Sequence, residues 1–178
     1  MEPSGNPFQL YENSGYKTER IKKQSVVIDL RDDSVGDSNS FDSGNMTFSV
    51  SLQEPFRIDS LCDVYLDNFT TLDALQNTNT DTQAFVIDIN EFPIQTNSNN
   101  PALFNKLVIP NEDNSATDTA TLKIHKGRKM NYICQMNSQT LKTISGSITT
   151  MNNANATMDD DNDLYRVIME FLFVTRVS

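Results

Sequence analysis

Apolar residues recur at every second position along most of this chain, in short runs separated by breaks rich in Asn, Ser, Thr and Asp. A period of two marks a strand with one buried face. In residues 46–52, Met46, Phe48, Val50 and Leu52 alternate with Thr47, Ser49 and Ser51, and Pro55 marks the end of the run. Cys62, Val64 and Leu66 share a face opposite Asp63, Tyr65 and Asp67, and Phe85, Ile87 and Ile89 define another run. The turn Lys126-Gly-Arg-Lys129 predicts a hairpin, with Met130, Tyr132, Cys134 and Met136 on the face of its returning strand. The final run carries Val167, Met169, Phe171 and Phe173 on one face and Arg166, Ile168, Glu170, Leu172, Val174 and Arg176 on the other. Apolar on both sides at its centre, it predicts a strand inside a sheet.

Eight runs of this kind span 46–52, 61–70, 84–90, 103–110, 119–125, 130–136, 143–150 and 164–176, with no convincing helix between them. The pattern predicts an all-β chain, a single eight-stranded antiparallel jelly roll of two packed sheets. Residues 25–30, β-branched, predict an extra strand leading into a domain over 25–178. Residues 1–24, with Pro3, Gly5, Pro7 and Gly15 and then a mixed charged run, read as an extended N-terminal arm. Pro93 removes a ladder donor, so 91–95 reads as an edge or a strand end. Residues 144–148 read as a weak strand in which Gly146 marks a bulge or a close contact.

At 178 residues the chain suits one domain plus an arm, and its modest hydrophobic content of 37% must be concentrated at the alternating positions. A net charge of −10 argues against direct nucleic-acid binding. No run is long and apolar enough for a membrane span, and residues 1–16 lack the apolar centre of a secretory signal. Cys62 and Cys134 read as free buried thiols, with a single inter-sheet disulfide as the alternative.

Candidate chemistry is sparse. The single histidine, His125, has no Gly-x-Ser-x-Gly nucleophile motif to serve, and neither a phosphate loop nor a cofactor signature appears. Neither an enzymatic role nor a cofactor is therefore expected. Asp159, Asp161 and Asp163 match the first, third and fifth positions of a calcium-binding loop, and Glu170 falls at its twelfth. Leu164 stands where that loop requires glycine, so the run reads as a solvated acidic loop and only a weak metal candidate. Two basic clusters stand out: Lys17, Arg20, Lys22 and Lys23 in the arm, and Lys126, Arg128 and Lys129 in the turn. In a head-to-tail ring, the arm would dock on an acidic neighbour and the basic turn would face Asp159, Asp160 and Asp161 of the next copy.

Several phrases together carry a resemblance: 26–33 (VVIDLRDD), 48–59 (FSVSLQEPFRID), 63–71 (DVYLDNFTT), 85–92 (FVIDINEF), 141–148 (LKTISGSI) and 167–174 (VIMEFLFV). Over residues 25–176 the chain resembles small single jelly-roll capsid proteins of large icosahedral double-stranded DNA viruses, especially those infecting algae. The resemblance implies a structural virion protein assembled in the host cell. A lone jelly roll suits the penton, of which five copies close each vertex, or a minor capsid protein that cements capsomers. The implied partners are further copies of the chain, the major capsid protein and minor capsid proteins. A glycan-binding or fibre-head module is the alternative from another class, disfavoured because the long predicted loops hold Phe41 as their only aromatic residue.

Overall fold

A computed structural model describes residues 20–31, 39–42, 47–72, 84–110, 123–125, 131–151 and 166–177. The first sheet runs in the order β1 (Arg20–Arg31), β10 (Arg166–Val177), β4 (Cys62–Leu72), with β7 (Lys123–His125) and β8 (Asn131–Met136) both on the far side of β4. The second runs β2 (Asn39–Asp42), β3 (Thr47–Ile58), β9 (Gln139–Thr150), β5 (Ala84–Ile89), β6 (Leu107–Pro110). Every pairing is antiparallel. From β3 onward the chain crosses to the other sheet at every connection except β5–β6, which pair with each other, and β7–β8, which both pair with β4. With β7 and β8 counted as one interrupted strand, this is the eight-stranded, two-sheet jelly roll that the alternation predicts, with β2 as a short addition.

The core lies between the sheets. Val167, Met169, Phe171 and Phe173 of β10 are buried, as are Phe85, Ile87 and Ile89 of β5 and Val26, Ile28 and Leu30 of β1. Aromatic rings bridge the layers, with centroid separations of 5.6 Å for Phe69–Phe85 and 4.6 Å for Phe56–Phe173, and Phe92, just past β5, meets Phe171 at 5.1 Å. Each fully buried large apolar side chain contributes about 1.5–3 kcal/mol relative to exposure.

The structure redraws several predicted elements. Residues 25–30 are no lead-in: β1 starts at Arg20 and pairs with β10 over its whole length, so residues 20–24 belong to the sheet and not to an arm. The turn predicted at 126–129 lies outside the described residues, and the strands that flank it pair with β4 rather than with each other. β7 and β8 both run antiparallel to β4, end to end, and therefore in one direction. Five residues separate His125 from Asn131, against two between their partners Phe69 and Leu66, so the strand line carries an insertion. β3 continues past Pro55 to Ile58, its register slipping between Ser51 and Phe56 where the proline cannot donate. The run predicted over 103–110 is a strand only from Leu107; Pro101–Leu103 forms a short 3-10 turn whose preceding Asn100 accepts from the Ala102 N–H at 3.0 Å. Residues 91–95 form no strand, yet Phe92 and Ile94 are buried in the core.

Residues 144–148 lie at the middle of a sheet, in β9 between β3 and β5. Gly146 makes this possible. A Cβ there would stand 2.0 Å from the Asp88 carbonyl oxygen and 2.9 Å from Phe48 Cζ, so glycine is required by close approach. Next to it the β5 strand ends, and Glu91 takes over its pairing. The Ser145 N–H and Oγ–H donate to the two Glu91 carboxylate oxygens, each at 2.8 Å, and the Asn90 N–H donates to the Ser145 carbonyl at 2.9 Å.

Candidate assembly surfaces

Each sheet turns one face to the core and the other outward, and the two outward faces differ in chemistry. On the first sheet, register places Ser25, Leu172, Tyr65 and Tyr132 in one row across β1, β10, β4 and β8. Tyr65 and Tyr132 meet edge to face, with ring centroids 5.7 Å apart. Ile168 and Val174, both half-buried, lie on the same face of β10, with Glu170 between Ile168 and Leu172. Val27 and Tyr132 are each 56% exposed, which is high for side chains of this size and kind.

A β-bulge places Tyr132 here. The sequence assigns it to the same face as Cys134 and Met136, but the register shifts between Val64 and Tyr65. Ile133 and Cys134 consequently both turn inward, and Tyr132 turns out.

On the second sheet, Thr47, Ser49 and Ser51 of β3 stand opposite Ser147, Ser145 and Thr143 of β9, forming a short hydroxyl-bearing face. Farther along, the outward Val86 is fully buried and Thr149 is buried beside it. The connection between β5 and β6 covers this part: Asn100 donates its side-chain N–H to the Met151 carbonyl at 3.2 Å, and Lys106 Nζ stands 3.5 Å from Asp88.

The charged groups are arranged as clasps. Asp29 on β1 receives a two-pronged bond from Arg166 on β10, each prong 2.5 Å, and Arg31 adds bonds of 2.6 and 3.0 Å. The Arg166 bond, helped by Arg31, holds the Asp29 carboxyl below its ordinary pKa against the opposing effect of burial. At the other end of β1, Lys22 lies 3.6 Å from Asp59, which also pairs with Arg57 at 2.8 Å.

Of the basic cluster predicted in the arm, Arg20, Lys22 and Lys23 therefore sit in β1, and Lys22 already has an acidic partner within its own chain. Lys17 lies outside the described residues, as do Lys126, Arg128, Lys129, Asp159, Asp160, Asp161 and Asp163. Glu170 belongs to β10, opposite Val27 and Asn68. Among the described residues no group of three or more His, Cys, Asp or Glu side chains could hold a metal ion. No helix among them is long and apolar enough to cross a membrane.

Cys62 and Cys134 are free and buried, as predicted. They sit on neighbouring strands of one sheet, Cys62 opposite Met136 and Cys134 opposite Val64, rather than across the two sheets. Burial, with the nearby Cys62, pushes the Cys134 thiol up to about 12, and burial raises Cys62 as well. Both stay protonated at neutral pH and behave as small apolar side chains.

The outward faces were partly legible in the sequence. Alternation marks Leu172, Tyr65 and the Ser/Thr positions as facing away from the core, but the Tyr65–Tyr132 pairing depends on a bulge that alternation alone hides. No protein-family model matches this chain, and no curated protein matches it.

Proposed function

We propose that this chain is a structural virion protein, the penton that forms a pentameric ring at the fivefold vertices of an icosahedral capsid. The reading rests on the jelly-roll topology combined with the capsid-like phrases over residues 25–176. The observation that carries it is the outward face of the first sheet, where Val27 and Tyr132 stand exposed with Tyr65 and Leu172 between them. Large exposed apolar surface on a folded domain marks an interaction site, and aromatic residues concentrate at protein interfaces. Two unlike faces on one domain also permit the head-to-tail contacts from which rings close. In this reading the virion is the site of action, with the major capsid protein and minor capsid proteins as neighbours.

The test is structural. Purified chain imaged by electron microscopy, and the vertices of the particle that contains it, should show closed rings of five copies. A chain that stays monomeric at all concentrations and occupies sites between capsomers would replace the penton with a minor capsid role. A defined hit on a glycan array, with no ring, would replace both with a binding module.

A further inference from the structure

We infer that the outward face at the β4–β8 margin is a saccharide-binding platform, on which Tyr132 and Tyr65 carry the C–H face of a neutral pyranose ring while Asp63 and Gln135 hold its hydroxyls. The inference goes beyond the ring reading and does not rest on it.

Composition is the first argument. Register sets Tyr65 opposite Tyr132, and sets Asp63, the next outward position along β4, opposite Gln135. Tyr132 and Gln135 are exposed, and Tyr65 and Asp63 are half-buried. This mixture suits a ligand that is apolar on one side and polar at its rim. A pyranose is such a ligand. The C–H groups on one side of its ring are slightly positive and pack on the negative face of an aromatic ring. Its rim carries hydroxyls, each of which both donates and accepts.

The second argument is that the patch is already ordered. Tyr65 braces Tyr132 edge to face, with ring centroids 5.7 Å apart. The Gln135 Nε2–H donates to Asp63 Oδ1 at 3.2 Å, which fixes both side chains. By the valence of the two groups, Asp63 Oδ2, Gln135 Oε1 and the second Nε2–H can still meet sugar hydroxyls. The carboxylate is the strongest of these, because a hydrogen bond to an ionised group is roughly twice as strong as a neutral one. The β-bulge that turns Tyr132 outward brings its ring into this row, and bulges are over-represented where a strand re-aims a functional side chain.

Charge and position complete the case. Asp63, on a chain of net charge −10, repels an acidic sugar, so the ligand is a neutral one. β8 and β1 stand at opposite margins of the sheet, roughly 14 Å apart across three strand spacings. A contact made at β1, where Val27 is exposed, leaves the Tyr132 margin open.

Saturation-transfer NMR on the full chain tests the site, with methyl α-glucoside, methyl α-galactoside and methyl α-mannoside as probes and methyl α-sialoside as the acidic counterpart. At least one neutral glycoside should receive saturation at its ring C–H protons, and the sialoside should receive none. Tyr132→Ala should weaken this binding by about tenfold, and Tyr132→Phe by no more than about twofold because the ring remains. Asp63→Ala should also weaken it by about tenfold. Phe104→Ala, at an exposed aromatic residue elsewhere, should leave it unchanged. All four variants should keep the wild-type circular dichroism spectrum, because none of these side chains belongs to the core.

No transfer to any of the three neutral glycosides would overturn the inference. So would a Tyr132→Ala chain that binds as the wild type does, or a preference for the sialoside. Electron microscopy of the same samples reads the ring separately. Rings without sugar binding would sink this inference alone, and sugar binding by a chain that forms no ring would sustain it while the ring reading fails.

Discussion

β9 and β10 hold matching places in the two sheets, each a 12-residue strand hydrogen-bonded on both sides, yet they are built differently. β10 sends four large apolar side chains into the core, including Phe171 and Phe173, and keeps Ile168, Leu172 and Val174 beside Arg166 and Glu170 on its outward face. β9 sends in Leu141, Ile144 and Ile148 with Gly146 between them, and its outward face carries hydroxyls. One strand fills space and the other yields it: Phe48 and the β5 backbone close on Gly146. Centrality in a sheet therefore follows from fit with the neighbours, and not from the strand's own hydrophobicity.

The sharpest way to break β9 is to add a single carbon. Gly146→Ala places a Cβ 2.0 Å from a backbone oxygen, a contact that only separation of β5 from β9 relieves. The expected loss is about 4 kcal/mol or more, read as a collapse of the denaturant midpoint. The matching lesion in β10 is removal rather than addition. Phe171→Ala empties a fully buried site beside Phe92 and should cost about 3–5 kcal/mol in the same measurement. An equal tolerance of both changes would undo the comparison.

A smaller effect separates the strands by pH. Asp29 ties β1 to β10 through Arg166, and its folded pKa lies below the ordinary 3.8. A carboxyl so depressed contributes stability that is present above its unfolded pKa and is lost as the pH falls through the folded value. Stability measured from pH 5 down to 2 should thus fall less steeply in Asp29→Asn than in the wild type. The difference at pH 7 should be about 1 kcal/mol, modest because the clasp is partly solvated. Identical slopes would remove the clasp as a contributor.

The least effect on the folded monomer is expected from Leu172→Ser, on the outward face of β10. Since that side chain points away from the core, thermal unfolding at a concentration too low for assembly should shift by no more than about 0.5 kcal/mol. A larger loss would mean that the outward face is already structural within one copy.

Legibility in the sequence followed the same division. β10 could be read at sight because its run over 167–174 is apolar at every position but Glu170, and its place inside a sheet followed from its two largely apolar faces. β9 was readable as a strand but not as a central one, since the atoms that make Gly146 necessary belong to Asp88 and Phe48, remote in the chain. The polar start of β1 resembles an arm because Lys22 and Lys23 hide its pairing with Thr175 and Val174. Lys126-Gly-Arg-Lys129 has the composition of a hairpin turn, and only register against β4 shows that the flanking strands run in one direction. At the candidate interface, Tyr65 followed from alternation. Tyr132 did not, because one extra residue at the bulge turns it to the opposite side.

The pairing of Arg20 with Val177 has a mechanical consequence. Since β1 and β10 are antiparallel, the start of one lies beside the end of the other. A pull applied to these two points acts across the strands and loads their cross-links one after another, as in opening a zipper. A pull on Arg20 and on a point beyond Arg166 would instead load all of them together in shear. Tension drawn through both ends would therefore peel β1 away at low force while the remaining layers keep their shape.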